Sequence, residues 1–244
     1  MSYLINKKNQ KIAYKAVRGH SPGIIFIHGL NSDMEGLKAL SIEKYAKKHK
    51  LSFIRFDCRG HGKSFGKFED FTISDWKEDI INIIDNLTRG SQILIGSSMG
   101  GWLMALAAMS RPKKVTGLIG LATATDFGND LYDNLYENNK NEIKRKGFTK
   151  YNSEGFSYIL TKKFFIEAKK NNILKKKFNF KKPLILIHGM EDKVVNSDLP
   201  IKIMKIASTK NMQIIYLKSS DHRLSKPSDL LVINNAIDIV RSLI

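Results

Sequence analysis

Ser98 stands at the centre of a Gly-x-Ser-x-Gly motif whose surroundings suit a nucleophile. The motif, Gly96–Gly100, follows the apolar run Ile93–Ile95 and passes directly into a helical pattern, Leu103–Met109. A strand, a sharp turn and a helix in this order form a nucleophile elbow, in which the serine is held out above the sheet. The glycines let the strand and the helix pass closely without Cβ clashes. The alternative is a glycine-rich turn between two core elements. The choice between the two depends on whether the chain also supplies the other catalytic groups.

Two further strand ends supply the partners that a serine nucleophile needs, a base to take its proton and a carboxylate to orient that base. Asp192 follows the strand-like Leu184–Ile187, and His222 follows the strand-like Gln213–Leu217. The loops at the carboxyl ends of parallel strands meet at one edge of the sheet. The order Ser, Asp, His at three strand ends therefore predicts a catalytic triad of Ser98, Asp192 and His222.

Two other carboxylates compete for the role of the acid. Glu191 is adjacent to Asp192, and Asp126 follows the strand-like Val115–Leu121. Asp192 itself could be a turn former, and His222 could be an ordinary surface histidine after a strand.

The oxyanion of the reaction needs two backbone N–H donors in such a site. One is expected from Met99, the residue directly after the nucleophile. The other is expected from Leu30, in the turn His28-Gly29-Leu30 that follows the strand-like Gly23–Ile27. We expect His28 to shape the backbone of this turn rather than to exchange protons.

The elements that must position these groups alternate between strand and helix along nearly the whole chain. This pattern predicts an α/β fold with a mostly parallel, doubly wound sheet and helices on both faces. Tyr3–Asn6 and Lys11–Val17 predict an N-terminal antiparallel hairpin, and Thr72–Leu87 carries the apolar spacing of an amphipathic helix.

The alternation breaks between residues 126 and 180, which are polar, basic and dotted with aromatic residues. Helical patterns occur near Asp133–Lys146 and Ser153–Lys170. We expect residues 1–244 to form a single domain that carries a small helical lid inserted at about 126–180.

The net charge of the chain is +18, and residues 138–182 hold fourteen Lys and Arg against three Glu. No nucleic-acid-binding signature accompanies this charge, so we expect no nucleic-acid partner. One interpretation is a solvated lysine face that reflects codon bias. The other is a basic pocket mouth that attracts anionic substrates.

The single cysteine, Cys58, excludes an intramolecular disulfide and a cysteine-based metal site. We predict no metal and no cofactor, because the histidines lack the spacings of a zinc site and serine chemistry needs none. The apolar runs are too short to span a bilayer, so no stable membrane insertion is expected. The first residues show no signal or transit pattern, and the expected location is cytoplasmic.

These residues give the chain a resemblance to the α/β-hydrolase family. His28-Gly29 resembles the family's oxyanion turn, Gly96–Gly100 its elbow, and His188-Gly189-x-x-Asp192 its acid segment. Within the family, the chain is most similar to the acyl-protein thioesterase and acyl-glucuronide esterase subgroup of the abhydrolase series. Further residues carry that closer likeness: Leu37-Lys38-Ala39-Leu40, Ile54-Arg55-Phe56-Asp57, Gly101–Met104 and Ser220-Asp221-His222-Arg223.

The resemblance implies a serine hydrolase that cleaves carboxylic esters or acyl thioesters of small molecules or acyl-proteins through an acyl-enzyme. It also implies that Ser98, Asp192 and His222 are the triad. Two alternatives remain open: a peptidase of the same fold, and a binding module of this fold with little turnover.

Overall fold

The computed structural model describes residues 1–153 and 156–244. In this part of the chain, ten strands and eight α-helices alternate much as the apolar pattern predicts. The strands are Ser2–Ile5 (β1), Lys11–Val17 (β2), His20–Ile27 (β3), Leu51–Phe56 (β4), Gln92–Ser97 (β5), Val115–Leu121 (β6), Phe148–Ser153 (β7), Phe156–Thr161 (β8), Leu184–Gly189 (β9) and Met212–Leu217 (β10). The helices are Leu37–Lys48 (α1), Ile73–Leu87 (α2), Met99–Ser110 (α3), Phe127–Asp133 (α4), Glu137–Lys146 (α5), Lys162–Lys170 (α6), Leu199–Ile206 (α7) and Pro227–Ser242 (α8).

Eight strands form one sheet in the order β1-β2-β4-β3-β5-β6-β9-β10. β1 pairs antiparallel with β2, and β2 pairs antiparallel with β4. From β4 to β10 the pairings are all parallel. The predicted α/β class, the mostly parallel sheet and the N-terminal antiparallel hairpin are confirmed.

Alternate residues of the central strands enter two separate cores, one on each face of the sheet. On β5, Leu94 packs in the core that contains α2 and α3, whereas Ile93 and Ile95 pack in the core that contains α1 and α8. A strand buried on both faces must be apolar at consecutive positions, and this explains its unbroken β-branched run.

The segment between β6 and β9 differs from the prediction in one respect. The predicted helix near Ser153–Lys170 is wrong in its first half, because β8 and β7 form an antiparallel hairpin there and only Lys162–Lys170 is helical. Residues 154 and 155 of that prediction lie outside the described residues. Tyr151 opposes Tyr158 and Lys150 opposes Ile159 across the hairpin. Such pairing depends on a second strand, so the spacing of apolar residues within one segment does not reveal it.

The crossing of α3 over β5 leaves no space for side chains at the glycines of the elbow. A Cβ atom on Gly96 would lie 2.3 Å from the carbonyl oxygen of Gly100, and one on Gly100 would lie 2.3 Å from that of Ile27. Both obstacles are backbone atoms, which cannot move aside as a flexible side chain can. The motif is therefore a steric requirement of this crossing.

We predict that Gly100→Ala lowers the free energy of unfolding by about 3 kcal/mol, because the added methyl group forces the helix away from the sheet. Chemical denaturation followed by circular dichroism measures this change. Gly36→Ala is the matched control, since a Cβ atom at Gly36 has no described residue within 4 Å. This control variant should lower the free energy of unfolding by less than about 1 kcal/mol. Equal losses in the two variants would contradict the steric explanation.

Candidate active site

Ser98 is the last residue before α3 and has a backbone conformation that few residues other than glycine adopt. Its φ is 53° and its ψ is −120°. Its N–H donates to the carbonyl of Leu121 at 2.8 Å, and its own carbonyl accepts from Gly101 at 2.9 Å and from Ala124 at 3.1 Å. These bonds to β6, α3 and the loop after β6 hold the strained turn in place. The side chain is partly exposed at the carboxyl edge of the sheet.

His222 connects Ser98 to Asp192 through hydrogen bonds at both ring nitrogens. The distance from Nε2 to Ser98 Oγ is 3.1 Å, and the distance from Nδ1 to Asp192 Oδ2 is 2.8 Å. These contacts join residues 124 and 30 positions apart in the sequence. The three residues that the sequence places at three strand ends are therefore brought together in one chain of hydrogen bonds.

The surroundings of Asp192 favour its charged form. Its side chain is only 1% exposed, and burial works to raise its pKa. The hydrogen bond from His222 and the backbone amides of Val195 and Val194 act in the opposite direction. The amides donate to Oδ1 at 2.9 and 2.8 Å. Their combined effect outweighs burial, and the pKa of Asp192 lies below its ordinary value.

The two rival carboxylates lie elsewhere. Asp126 accepts hydrogen bonds from the backbone amides of Ile173 and Leu174 at 2.9–3.0 Å, so it fastens the chain before β9. Burial raises the pKa of Asp126. Glu191 is exposed to solvent. Neither makes the contact with His222 that Asp192 makes.

The turn after β3 approaches the nucleophile closely. A Cβ atom on Gly29 would lie 3.1 Å from Ser98 Cβ, so only a small residue fits between this turn and the elbow. Within residues 1–153 and 156–244, the amides of Leu30 and Met99 have no hydrogen-bond acceptor in the protein. Two free donors beside Ser98 suit the predicted oxyanion hole.

His28 stabilises this turn as a neutral ring. The amide of Cys58 donates to Nε2 at 2.9 Å, so the proton resides on Nδ1, which donates to the Gly29 carbonyl at 2.7 Å. Burial lowers the pKa of His28. A neutral imidazole with both nitrogens occupied holds the backbone and exchanges no proton, as the sequence interpretation expected.

Lys38 of α1 also contacts the site, although no motif in the sequence indicates a role for it. Its ammonium group donates to the carbonyl of Arg223, the residue directly after His222. Burial lowers the pKa of Lys38 to about 8. The two residues are 185 positions apart, and no local pattern announces a contact over that distance.

Comparisons with known proteins identify the family to which the chain is similar. The family described as alpha/beta hydrolase fold matches residues 22–151. The mitochondrial palmitoyl-protein thioesterase ABHD10 of Bos taurus is 39% identical over 242 residues, which cover 98% of this chain and 79% of that protein. The Homo sapiens protein of the same name is also 39% identical, with the same coverage. The structure of mouse alpha/beta hydrolase domain-containing protein 10 has a TM-score of 0.91 and 36% identity, covering 99% of this chain and 98% of that one.

The expected cytoplasmic location is contradicted by these comparisons. The relatives that match nearly the whole chain are named mitochondrial. The prediction depended partly on the single cysteine, which indicates reducing conditions but does not distinguish one reducing compartment from another. In the described part of the chain, no helix combines the length and the apolar character needed to cross a membrane.

We predict that Asp192→Asn lowers kcat by several orders of magnitude, because an amide cannot stabilise the imidazolium and can hold the wrong tautomer of His222. Steady-state kinetics on a p-nitrophenyl ester measure the loss. Glu191→Gln and Asp126→Asn are matched controls that each remove one carboxylate charge. Both should lower kcat far less than Asp192→Asn does. An equal loss in Asp126→Asn would transfer the acid role to Asp126.

The depressed pKa of Asp192 also predicts a pH-dependent contribution to stability. A carboxylate whose pKa is lower in the folded state stabilises the fold above its unfolded pKa, and this contribution disappears as the pH falls through its folded value. The stability of the wild type relative to Asp192→Asn should therefore be greatest near pH 7 and should shrink below about pH 4. Denaturant titrations of both proteins from pH 7 to pH 3 test this. A constant difference over that range would contradict the prediction.

Proposed function

We propose that this chain, which belongs to the α/β-hydrolase family, is a serine esterase or thioesterase that works through an acyl-enzyme intermediate. The observation that carries the proposal is the continuous hydrogen-bonded chain from Ser98 Oγ through His222 to Asp192. Membership of the family confirms the resemblance seen in the sequence, the fold and the class of enzyme. The roles of the individual residues are the proposal.

His222 starts the reaction as a general base. Its Nε2 takes the proton of Ser98 Oγ while that oxygen attacks the carbonyl carbon of the substrate. The amides of Leu30 and Met99 then stabilise the negative oxygen of the tetrahedral intermediate. The bond to the leaving group breaks, and His222 returns the proton to the departing oxygen or sulfur atom. Water, activated by His222 in the same way, releases the acid and regenerates Ser98.

Asp192 supports both proton transfers without changing its own charge. It holds the Nδ1–H tautomer of His222 and stabilises the imidazolium that forms when Nε2 is protonated. The amides of Val194 and Val195 support this role, since they keep the carboxylate ionised and in position.

Acyl thioesters are the substrate class favoured for this chain, with carboxylic esters as the second. The relatives that cover nearly the whole chain are named palmitoyl-protein thioesterases. A triad of this kind cleaves both bond types, because a thiol or an alcohol leaves readily once it is protonated.

We assign residues 126–180 as an insertion in a single α/β-hydrolase domain, acting as a lid. They lie between β6 and β9, where a short connection would complete the sheet. Three contacts support a position over the elbow: Trp102 donates to the carbonyl of Asn171 at 3.0 Å, Ser74 donates to Glu167 at 2.7 Å, and the ring centroids of Trp102 and Phe127 are 5.6 Å apart.

A fluorophosphonate probe tests the nucleophile. The wild type should be labelled stoichiometrically at Ser98, because the probe reacts with a serine that a neighbouring base activates. Ser98→Ala should abolish labelling and lower kcat by about 10³-fold or more while the fold remains intact. Ser97→Ala, one residue earlier in β5, is the matched control and should still be labelled. A wild-type protein inert to the probe would favour a binding module instead.

A further inference from the structure

The structure contains a cavity of about 700 Å³ between α4, α5 and α6 that is separate from the triad. Its apolar lining residues include Tyr132, Ile143 and Phe165. Among the residues that the structure describes, the lining also holds five lysines and one carboxylate, that of Asp133. The lysines are Lys144, Lys162, Lys169, Lys175 and Lys176.

These five lysines differ from some of their neighbours because they form no ion pair with a described residue. Within the described residues of the chain, none of the five lies within 4 Å of a carboxylate oxygen. By contrast, Lys140, Lys146, Lys163 and Lys170 each form an ion pair with a carboxylate, at 2.6–4.0 Å, and none of them lines the cavity. The five cavity lysines are thus available for a ligand. Five other cations of residues 138–182 also form no ion pair within the described residues, but they do not line the cavity: Arg145, Lys150, Lys177, Lys181 and Lys182.

The cavity adjoins the catalytic residues through two smaller spaces. A cavity of about 300 Å³ shares Asn129, Asn172 and Lys175 with the large one. It also shares Val194 with a cavity of about 620 Å³ that is lined by Asp192 and His222. These shared residues place the three spaces next to one another, with His222 beside the first and the lysines around the last.

Asn172 adds a polar contact point along this series. It is 9% exposed and lines both the 300 Å³ and the 700 Å³ cavities. In the described part of the chain, its Oδ1 atom has no hydrogen-bond partner. A buried acceptor without a partner is unfavourable, so a ligand with an N–H or O–H group could donate the missing hydrogen bond to Oδ1.

From these observations we propose that the 700 Å³ cavity binds an anionic leaving group, such as the phosphorylated nucleotide of a coenzyme A thioester. The assignment rests on the proposed function, because it is His222 that protonates the leaving group, and the series of spaces starts beside His222. Phosphates meet the free lysines, and the amide-containing arm of the thiol passes Asn172. The C–S bond breaks on the side of His222, the thiol takes its proton from Nε2, and the acyl group remains on Ser98.

The shape of the cavity favours a small molecule over a membrane surface. A phospholipid bilayer is contacted by an exposed, outward-facing patch of basic and apolar side chains. The five lysines are also exposed, but with Tyr132 and Phe165 they surround a concave space, which resembles a site for a compact amphipathic ligand.

The test compares two thioesters with the same acyl chain and different leaving groups, octanoyl-coenzyme A and neutral octanoyl-N-acetylcysteamine. The triple variant Lys169→Gln, Lys175→Gln, Lys176→Gln removes three cavity charges. We expect its KM for the coenzyme A ester to rise by about tenfold with kcat nearly unchanged, while kcat/KM for the neutral ester stays at the wild-type value. The triple variant Lys177→Gln, Lys181→Gln, Lys182→Gln removes three exposed charges nearby that do not line the cavity, and it should leave both esters unaffected.

A binding measurement separates this proposal from the proposed function. Calorimetry with adenosine 3′,5′-bisphosphate should show binding to the wild type and to the control variant, and much weaker binding to the cavity variant. If the wild type hydrolyses neither thioester but binds the bisphosphate, the proposed function fails and the leaving-group assignment fails with it. If the wild type hydrolyses both thioesters but binds no bisphosphate, only the assignment fails.

Two other results would overturn the assignment. Equal rises in KM for the cavity and control variants would mean that overall charge, and not this cavity, attracts the substrate. Loss of binding to phosphatidylglycerol vesicles in the cavity variant, with the KM for the coenzyme A ester unchanged, would mean that the lysines face a membrane.

Discussion

The close crossing of β5 and α3 at Ser98 is the constraint on which the rest of the site depends. A non-glycine residue at a φ of 53° costs on the order of 1–3 kcal/mol and persists only where its surroundings over-determine it. The groups around Ser98 that do so are backbone groups. Carbonyls of Gly100 and Ile27 leave no room for a Cβ atom on Gly96 and Gly100, respectively, and the carbonyl of Leu121 accepts from the Ser98 amide. The strain places Oγ outside the sheet, where a base can reach it.

The base and the acid are held by a second close approach, between the loops after β9 and β10. These strands are neighbours and pair in parallel, so their carboxyl ends deliver Asp192 and His222 to the same place. A Cβ on Gly189 would lie 2.1 Å from the Ser220 carbonyl, which shows how tightly the two loops pass. Ser220 in turn donates to the buried Asp229 at 2.6 Å, at the start of α8. The position of His222 is thus tied to the packing of the last helix.

The sequence predicts those parts of the molecule whose conformation is determined by residues that are close together in the chain. An unbroken apolar run such as Ile93–Ile95 indicates a strand buried on both faces, and the glycines around Ser98 indicate a sharp turn, because sterics allow little else. The hairpin β7–β8 was missed because its pairing depends on a second segment. The contact of Lys38 with Arg223 and the cavity between α4 and α6 also arise from residues far apart in the chain, whose proximity only the folded structure reveals.

The same distinction bears on the basic charge of residues 138–182. Composition alone cannot separate codon bias from function, since both produce many lysines. The structure adds the distribution of partners. Lys146 and Lys170 pair with Glu142 and Glu167, whereas the lysines that face the 700 Å³ cavity pair with no carboxylate of residues 1–153 and 156–244. Exposed ion pairs contribute at most about 1 kcal/mol each, so pairing is a weak constraint on stability. Codon bias accounts for the number of lysines, including the unpaired ones that lie outside the cavity. It gives no account of five lysines without an ion pair, within the described residues, around a concave space that also holds the unpaired Asn172 Oδ1, and an anionic ligand with a hydrogen-bond donor would account for both.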